Sequence, residues 1–201
     1  SNLKDSILAN NKALTAGDVG FNFLVKALQN GDANQLLYEM NARRDVPGYG
    51  YQLKKGATSL TESWAALEEV SNNHLMLGHI MEWFYDGLAG IQQTKSSEAY
   101  NHILIEPAMV GNIEWLRARY NSPNGMIRSF WKLSDEQVTM EVEIPVNTTA
   151  TVVVPTEKKN QITESGEMIT VNPDIWDIQS KEDKTRLKIG SGKYTFKFSN
   201  F

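Results

Sequence analysis

Apolar residues recur at helical spacing along nearly the first half of the chain. Side chains three or four positions apart lie on one face of a helix, so this pattern predicts amphipathic helices. We predict a short helix over residues 3–8, a second over 19–28 that ends at Asn30 and Gly31, and a third over 33–43. Asparagine and glycine are typical residues at a helix end.

The segment 45–58 interrupts the helical pattern. Its Pro47 and three glycines disfavour a continuous helix, so we predict a loop here. A further helix is predicted to begin at Ser71 or Asn72, because both are common N-cap residues, and to end at Gly90.

Beyond a polar segment, 92–99, which we interpret as a linker, the apolar period falls to two. Such alternation predicts strands with one face buried. The predicted strands are 103–105, 115–120, 127–133, 138–144, 149–154 and 194–198. Turn signals at 122–125 and 190–192 separate some of them. About eight short antiparallel strands in this part favour a β-sandwich, whose core we expect Trp115 and Trp131 to fill.

The sequence therefore predicts an α+β multidomain chain, with helices in residues 1–95 and an antiparallel β-sandwich in residues 96–201. Five or so helices bury limited surface by themselves. The stretch 75–91 is apolar on nearly all sides, which suits a helix packed between other helices. We expect further helices to lie upstream in a longer native chain.

Charge and composition exclude some classes of protein. The 20 basic and 24 acidic residues give a net charge of −4, with 8 basic and 10 acidic residues up to Lys95 and 12 and 14 after it. A nucleic-acid partner requires a positive surface, so neither half is predicted to bind one. No apolar run approaches the roughly 20 residues that span a bilayer.

The compartment is not decided by these features. The chain has no cysteine, which excludes disulfides and thiolate chemistry but fits cytoplasmic, periplasmic and secreted bacterial enzymes alike. The first residues have no apolar signal-peptide core. For a longer parent enzyme, a periplasmic or secreted location is compatible with the sequence.

Several strings occur together in a characteristic order. In the helical part they are TAGDVG at 15–20, PGYGY at 47–51, GATSLTESW at 56–64 and the stretch 73–91. In the strand-rich part they are ARYNSPNG at 118–125, IPVNTTA at 144–150, ESG at 164–166 and GSG at 190–192. In this order and spacing, the chain resembles the C-terminal end of family 78 α-L-rhamnosidases of bacteria.

The resemblance implies a fold and an activity. The fold would be an (α/α)6 barrel, of which only the last helices are present, followed by a β-sandwich. The activity would be inverting hydrolysis that removes terminal α-linked L-rhamnose, without a cofactor or metal. The implied partners are a rhamnose-containing glycoside or polysaccharide and the upstream part of the same polypeptide.

Glu62 matches the position of the family's general base. Inverting hydrolysis needs one carboxylic acid and one carboxylate base, roughly 6.5–9.5 Å apart. Gly56, Ala57 and Ser59 are small enough for the backbone to approach a pocket. The alternative is that Glu62 is an exposed carboxylate in the first turn of a helix. The general acid has no match in this chain and is expected upstream, so the chain alone is expected to be inactive.

Three further residues are candidates for binding the sugar. The resemblance places His74 in the active site, although a lone histidine on an apolar helix is more often a core residue. Trp64 offers an aromatic wall for a sugar, and Tyr49 is either a stacking platform or a packed turn residue. His79 is interpreted as structural, because five residues from His74 is the wrong spacing for a helical metal site.

Two other functions stay open from the residues alone. The sandwich could serve as a non-catalytic carbohydrate-binding or structural module, if Trp176 or Tyr120 faces water. The chain could also belong to another (α/α)6 enzyme, such as a different glycosidase or a phosphorylase. The string at 56–64 argues against that enzyme class.

Overall fold

A computed structural model describes residues 2–199. Residues 1, 200 and 201, which are the ends of the two predicted domains, lie outside the described part. The chain divides into two compact units between Phe84 and Tyr85, ahead of the predicted division after residue 95. Residues 85–95, which include a strand, thus group with the second unit.

The first unit is helical. Its helices are α1 (Asn2–Ala9), α2 (Asp18–Asn30), α3 (Asn34–Ala42), α4 (Tyr49–Lys54), a 3₁₀ helix at Leu75–His79 and α5 (Ile80–Trp83). The three predicted helices are thereby confirmed. Helix α2 buries Phe21, Val25 and Leu28, whose spacing of four and three places them on one face. At its end the Gly31 N–H donates to the Ala27 carbonyl at 3.1 Å.

The prediction for residues 45–58 was wrong in one respect, since α4 forms inside the expected loop. This short helix fits because Gly50 lies against the main chain: a Cβ on Gly50 would come within 2.3 Å of the Arg43 carbonyl oxygen. Only glycine allows this approach without moving the backbone.

The last predicted helix begins later than expected and is irregular. It starts at Leu75, not at Ser71 or Asn72, and passes from 3₁₀ through α5 into a π-helical turn at Phe84–Leu88. Residues 71–74 are excluded from the helix because their main chain bonds elsewhere: the Ser71 carbonyl accepts from Glu62 at 2.8 Å.

The second unit contains eleven strands in its described residues. They are β1 (Ile91–Gln93), β2 (His102–Ile105), β3 (Trp115–Ser122), β4 (Gly125–Leu133), β5 (Gln137–Ile144), β6 (Thr149–Val154), β7 (Thr163–Glu164), β8 (Glu167–Met168), β9 (Ile175–Lys181), β10 (Lys184–Ile189) and β11 (Gly192–Ser199). All six predicted strands are present. The polar linker predicted at 92–99 begins inside β1.

The strands form two sheets. The first has the order β1-β2-β6-β10-β9 and the second the order β3-β4-β5-β11-β7-β8. Neighbouring strands are antiparallel except β2 and β6, which run parallel and so depart from the predicted purely antiparallel arrangement. Buried side chains from both sheets form one hydrophobic core, which makes this unit a β-sandwich.

The two tryptophans expected in this core have opposite environments. Trp131 is fully buried, and its indole N–H donates to the Leu88 carbonyl at 2.8 Å. Trp115 is 60% exposed, so its predicted core position was wrong. The register explains this, because Trp115 pairs with Lys132, which is the outward neighbour of Trp131 on β4.

Candidate functional site

Glu62 lies at the neck of a loop in the helical unit, which is the point where the two ends of the loop are hydrogen-bonded to each other. Two main-chain hydrogen bonds of 2.8 Å close this loop, one from the Glu62 N–H to Ser71 and one from the His74 N–H to Leu60. The Glu62 side chain is exposed, and its Oε2 accepts the Ser71 N–H at 3.1 Å. The carboxylate is therefore oriented by the main chain while it stays accessible to water. It lies outside any helix, so the first-turn interpretation does not apply.

An aromatic cluster packs against this loop on its buried side. The rings of Phe21, Tyr49 and Trp64 meet edge to face, with centroids 4.9–5.8 Å apart. Trp64 is 8% exposed, and its indole N–H donates to the Ala16 carbonyl at 2.6 Å. Such pairs add stabilisation beyond their buried area. The cluster thus ties α2, α4 and the residue two positions after Glu62 together.

Tyr49 is also held by its hydroxyl group, which donates to the Leu77 carbonyl. Burial raises the pKa of Tyr49 well above its usual value. A tyrosine with the usual pKa is already protonated at neutral pH, so burial only reinforces the role of this hydroxyl group as a donor. The two aromatic candidates for contact with a sugar, Tyr49 and Trp64, both donate hydrogen bonds to main-chain carbonyls.

His74 faces the first residue of α2. Its Nε2 lies 3.4 Å from Oδ2 of Asp18, close enough for an ion pair when the imidazole is charged. That nitrogen is buried, and its geometry does not satisfy a hydrogen bond. A buried polar atom without a hydrogen bond is uncommon in folded proteins. His74 thus has a carboxylate nearby, and its Nε2 atom makes no hydrogen bond.

Asp18 was not among the residues predicted for the site. The signal was present, since Asp18 lies inside the quoted string at 15–20. Sequence alone does not show that α2 turns this carboxylate towards His74, because 55 residues of chain lie between Asp18 and His74. Only the packed structure brings Asp18 and His74 together.

A concave pocket with a volume of about 610 Å³ lies beside the loop. The small residues predicted to border a pocket, Gly56, Ala57 and Ser59, line it, together with Glu68 and Glu69. The Ser59 hydroxyl donates to the Asn72 carbonyl, which fixes one wall of the concavity. Glu62 itself is not among the lining residues. The arrangement is polar and open, with room for a ligand of sugar size.

Two other features bear on the class of site. Within residues 2–199, no group of three histidine, aspartate or glutamate side chains is placed to hold a metal ion. In the same part of the chain, every helix is too short or too polar to cross a membrane.

Two family models match consecutive parts of the chain. The 6 hairpin glycosidase domain of bacterial alpha-L-rhamnosidase matches residues 1–88, and the bacterial alpha-L-rhamnosidase C-terminal domain matches residues 90–168. The helical unit is therefore related to a glycosidase domain. The chain belongs to the bacterial α-L-rhamnosidase family and corresponds to the C-terminal region of its members.

Individual relatives agree with this assignment. An alpha-L-rhamnosidase of Formosa agariphila is 27% identical over 192 residues, which are 91% of this chain and 20% of that protein. The structure of alpha-L-rhamnosidase from Dictyoglumus thermophilum matches with a TM-score of 0.85 and 27% identity, covering 98% of this chain and 22% of the other. The Streptomyces avermitilis alpha-L-rhamnosidase complexed with L-rhamnose has the same fold, with a TM-score of 0.84, 23% identity and coverage of 96% and 19%. The chain thus spans about a fifth of these relatives.

Proposed function

We propose that this chain is part of a glycoside hydrolase that removes terminal α-L-rhamnose from glycosides or polysaccharides with inversion. The observation that carries the proposal is the exposed carboxylate of Glu62, held at the neck of its loop in a unit related to glycosidase domains. The names of the relatives from Formosa agariphila and Dictyoglumus thermophilum support rhamnose as the sugar.

In this proposal Glu62 is the general base. An inverting base removes a proton from the water that attacks the sugar, so it must be ionised and must reach water. Glu62 meets the geometric requirement, because the Ser71 N–H fixes Oε2 while the side chain stays exposed. The general acid comes from the upstream part of the polypeptide, since this chain spans about a fifth of its relatives.

His74 binds the sugar, and Asp18 positions its imidazole. The 3.4 Å separation of Nε2 and Oδ2 allows Asp18 to favour one orientation of the ring. Nε2 is buried against Asp18, while 27% of the His74 side chain stays exposed, so the rest of the ring is accessible to a substrate hydroxyl group. Tyr49 and Trp64 take the supporting role, as the packed base that fixes the Glu62 loop.

The helical unit forms the last part of an (α/α)6 barrel. The description of the matching family as a 6 hairpin glycosidase domain supports this architecture. Large apolar side chains also remain exposed on the unit: Leu75 at 80%, Leu53 at 70%, Phe23 at 69% and Val19 at 67%. Upstream helices of the barrel would cover such side chains.

We expect the 201-residue chain by itself to bind a hydrophobic dye and to associate at high concentration, because exposed apolar surface favours association. Replacing Phe23 with serine should reduce both effects. The control is Val171→Ser, which removes an apolar side chain that is 72% exposed on the sandwich unit. A strictly monomeric chain that binds no dye would contradict this prediction.

We also expect the 201-residue chain to release no nitrophenol from nitrophenyl α-L-rhamnoside, whereas the complete enzyme does. One carboxylate cannot protonate the leaving oxygen and deprotonate the attacking water in the same inverting step. The measurement compares the chain, its Glu62→Gln variant and the complete enzyme at equal concentration. Turnover by the chain well above that of its Glu62→Gln variant would refute the assignment of the acid to the upstream part.

A second candidate function is carbohydrate binding by the sandwich. The specific observation is that aromatic side chains lie exposed on it, with Trp176 43% and Tyr120 37% accessible. An aromatic side chain offers a large apolar surface and loses little conformational entropy when it is fixed, so it is suited to packing against a sugar ring.

A further inference from the structure

The outer face of the six-stranded sheet contains a groove of about 570 Å³. Strands β3, β4, β5 and β11 contribute to its lining. The charged side chains that line it are basic Arg117, Arg119, Arg128 and Lys193 and acidic Glu141 and Glu143. The groove is thus locally positive in a chain whose net charge is −4.

Strand register brings these side chains together in two adjacent rows. The first row is Arg119, Arg128, Glu143 and Lys193, and the second is Arg117, Phe130, Glu141 and Thr195. Directly paired residues on neighbouring strands have their Cβ atoms roughly 4.5–5.5 Å apart. The intervening residues, such as Ser129 and Val142, are buried on the opposite face. The groove therefore lies across four neighbouring strands of one sheet.

The basic groups of the groove are not all neutralised. The Glu143 carboxylate lies 3.2 Å from Arg128 and 4.0 Å from Lys193, so it forms an ion pair with each of these two residues. The guanidinium of Arg117 lies over the Phe130 ring, 5.0 Å from its centroid. Arg119 is exposed and makes no ion pair within residues 2–199. Two guanidinium groups on alternate residues of β3 thus remain available to an anion.

We propose that this groove binds an anionic polysaccharide, through sugars that carry carboxylate or sulfate groups. The planar guanidinium of arginine binds such oxyanions with two parallel hydrogen bonds. Trp115, one row further along β3 and 60% exposed, supplies a ring surface against which a sugar can pack. The proposal rests on the proposed function only for the choice of a glycan as partner.

The acidic residues of the groove favour a glycan over a nucleic acid. A nucleic acid carries a phosphate at every residue and requires a continuous positive surface. Here Glu141 and Glu143 face the same space as the arginines. Carboxylates accept hydrogen bonds from sugar hydroxyl groups, so a mixed surface suits a polyol with intermittent anionic groups.

The test measures binding of the 201-residue chain to polygalacturonate, dextran sulfate, neutral dextran and oligo-thymidine by calorimetry. We expect binding to at least one anionic glycan and none to dextran, with an affinity that falls as salt rises. The carboxylate and sulfate arms distinguish the two sources of anionic charge. Arg119→Ala and Arg117→Ala should each weaken the affinity about tenfold, the effect of one charge-assisted hydrogen bond.

The matched control is Lys181→Ala, which removes one positive charge from an 87% exposed side chain on the five-stranded sheet. It should leave binding unchanged. Equal binding of dextran, equal or tighter binding of oligo-thymidine, or an equal loss in Lys181→Ala would each overturn the proposal. Arg119 is exposed, so its variant is expected to fold, and circular dichroism checks this.

Hydrolysis of a nitrophenyl rhamnoside by the complete enzyme separates this proposal from the proposed function. That small uncharged substrate does not need the groove, so Arg119→Ala should leave its kcat/KM unchanged. A wild-type enzyme that binds the anionic glycan but hydrolyses no rhamnoside would contradict the proposed function alone. An active enzyme that binds no anionic glycan would contradict the groove alone.

Discussion

Replacing Glu62 with glutamine in the complete enzyme is expected to lower kcat by about 10²–10⁴-fold, the usual contribution of general acid–base catalysis. Glutamine keeps the shape of the side chain but cannot take a proton from water. Its amide oxygen can still accept the Ser71 N–H that Oε2 accepts now, so the loop should keep its conformation. Steady-state hydrolysis of nitrophenyl α-L-rhamnoside measures the effect.

Two comparisons make this test specific to Glu62. Glu82→Gln changes another carboxylate of the helical unit, which pairs with Lys26 and does not line the concavity, and should leave kcat almost unaltered. His74→Ala should act chiefly on sugar binding, through a lost hydrogen bond of about 1–3 kcal/mol. If Glu62→Gln retains a kcat close to that of the wild type, Glu62 is not the base and the proposed mechanism fails.

Replacing Trp131 with alanine is expected to reduce the free energy of unfolding of the sandwich by about 3–5 kcal/mol. Trp131 is fully buried in the core shared by both sheets, so its removal leaves a large cavity. The Leu88 carbonyl also loses the hydrogen bond it accepts from the indole N–H at 2.8 Å. Because the chain has two compact units, a single unfolding curve does not report one transition. Amide hydrogen exchange in β5 and β11 measures the sandwich by itself.

The chain offers a matched control at the other tryptophan. Trp115 is 60% exposed on the outer face, so Trp115→Ala should change stability by no more than about 0.5 kcal/mol. Trp131→Phe should fall between the two, because it keeps most of the ring and loses the hydrogen bond. Equal effects of Trp131→Ala and Trp115→Ala would contradict the burial that separates them.

Strong periodicity predicted the regular elements well. Alternate residues of β5 and β11 are buried, and each strand pairs with a neighbour along its whole length, so the pattern of two identifies both. Strand β1 was missed because two of its three residues are glutamines, and only its pairing with β2 makes it a strand. Hydrogen bonds to a neighbouring strand leave no periodic signal in so short a segment.

The candidate site divides in a similar way. The motif around Glu62 predicted a candidate base, and the structure shows how this residue is held, by hydrogen bonds to the main chain of Ser71. Trp64 illustrates the limit of residue type as a guide, since an aromatic beside a candidate base is equally suited to stacking on a sugar and to packing in a core. The edge-to-face contacts with Phe21 and Tyr49 decide in favour of packing in this structure.

The sequence by itself determined the α+β class, the family and the position of the candidate base, because these depend on local periodicity and on strings of neighbouring residues. Only the tertiary structure decided that His74 lies beside Asp18, that Trp131 is buried while Trp115 is exposed, and that the arginines of β3 border a groove. The physical reason is that contacts between distant segments depend on strand register and helix packing. A shift of one residue in register would exchange the buried and exposed faces of a strand without changing its composition.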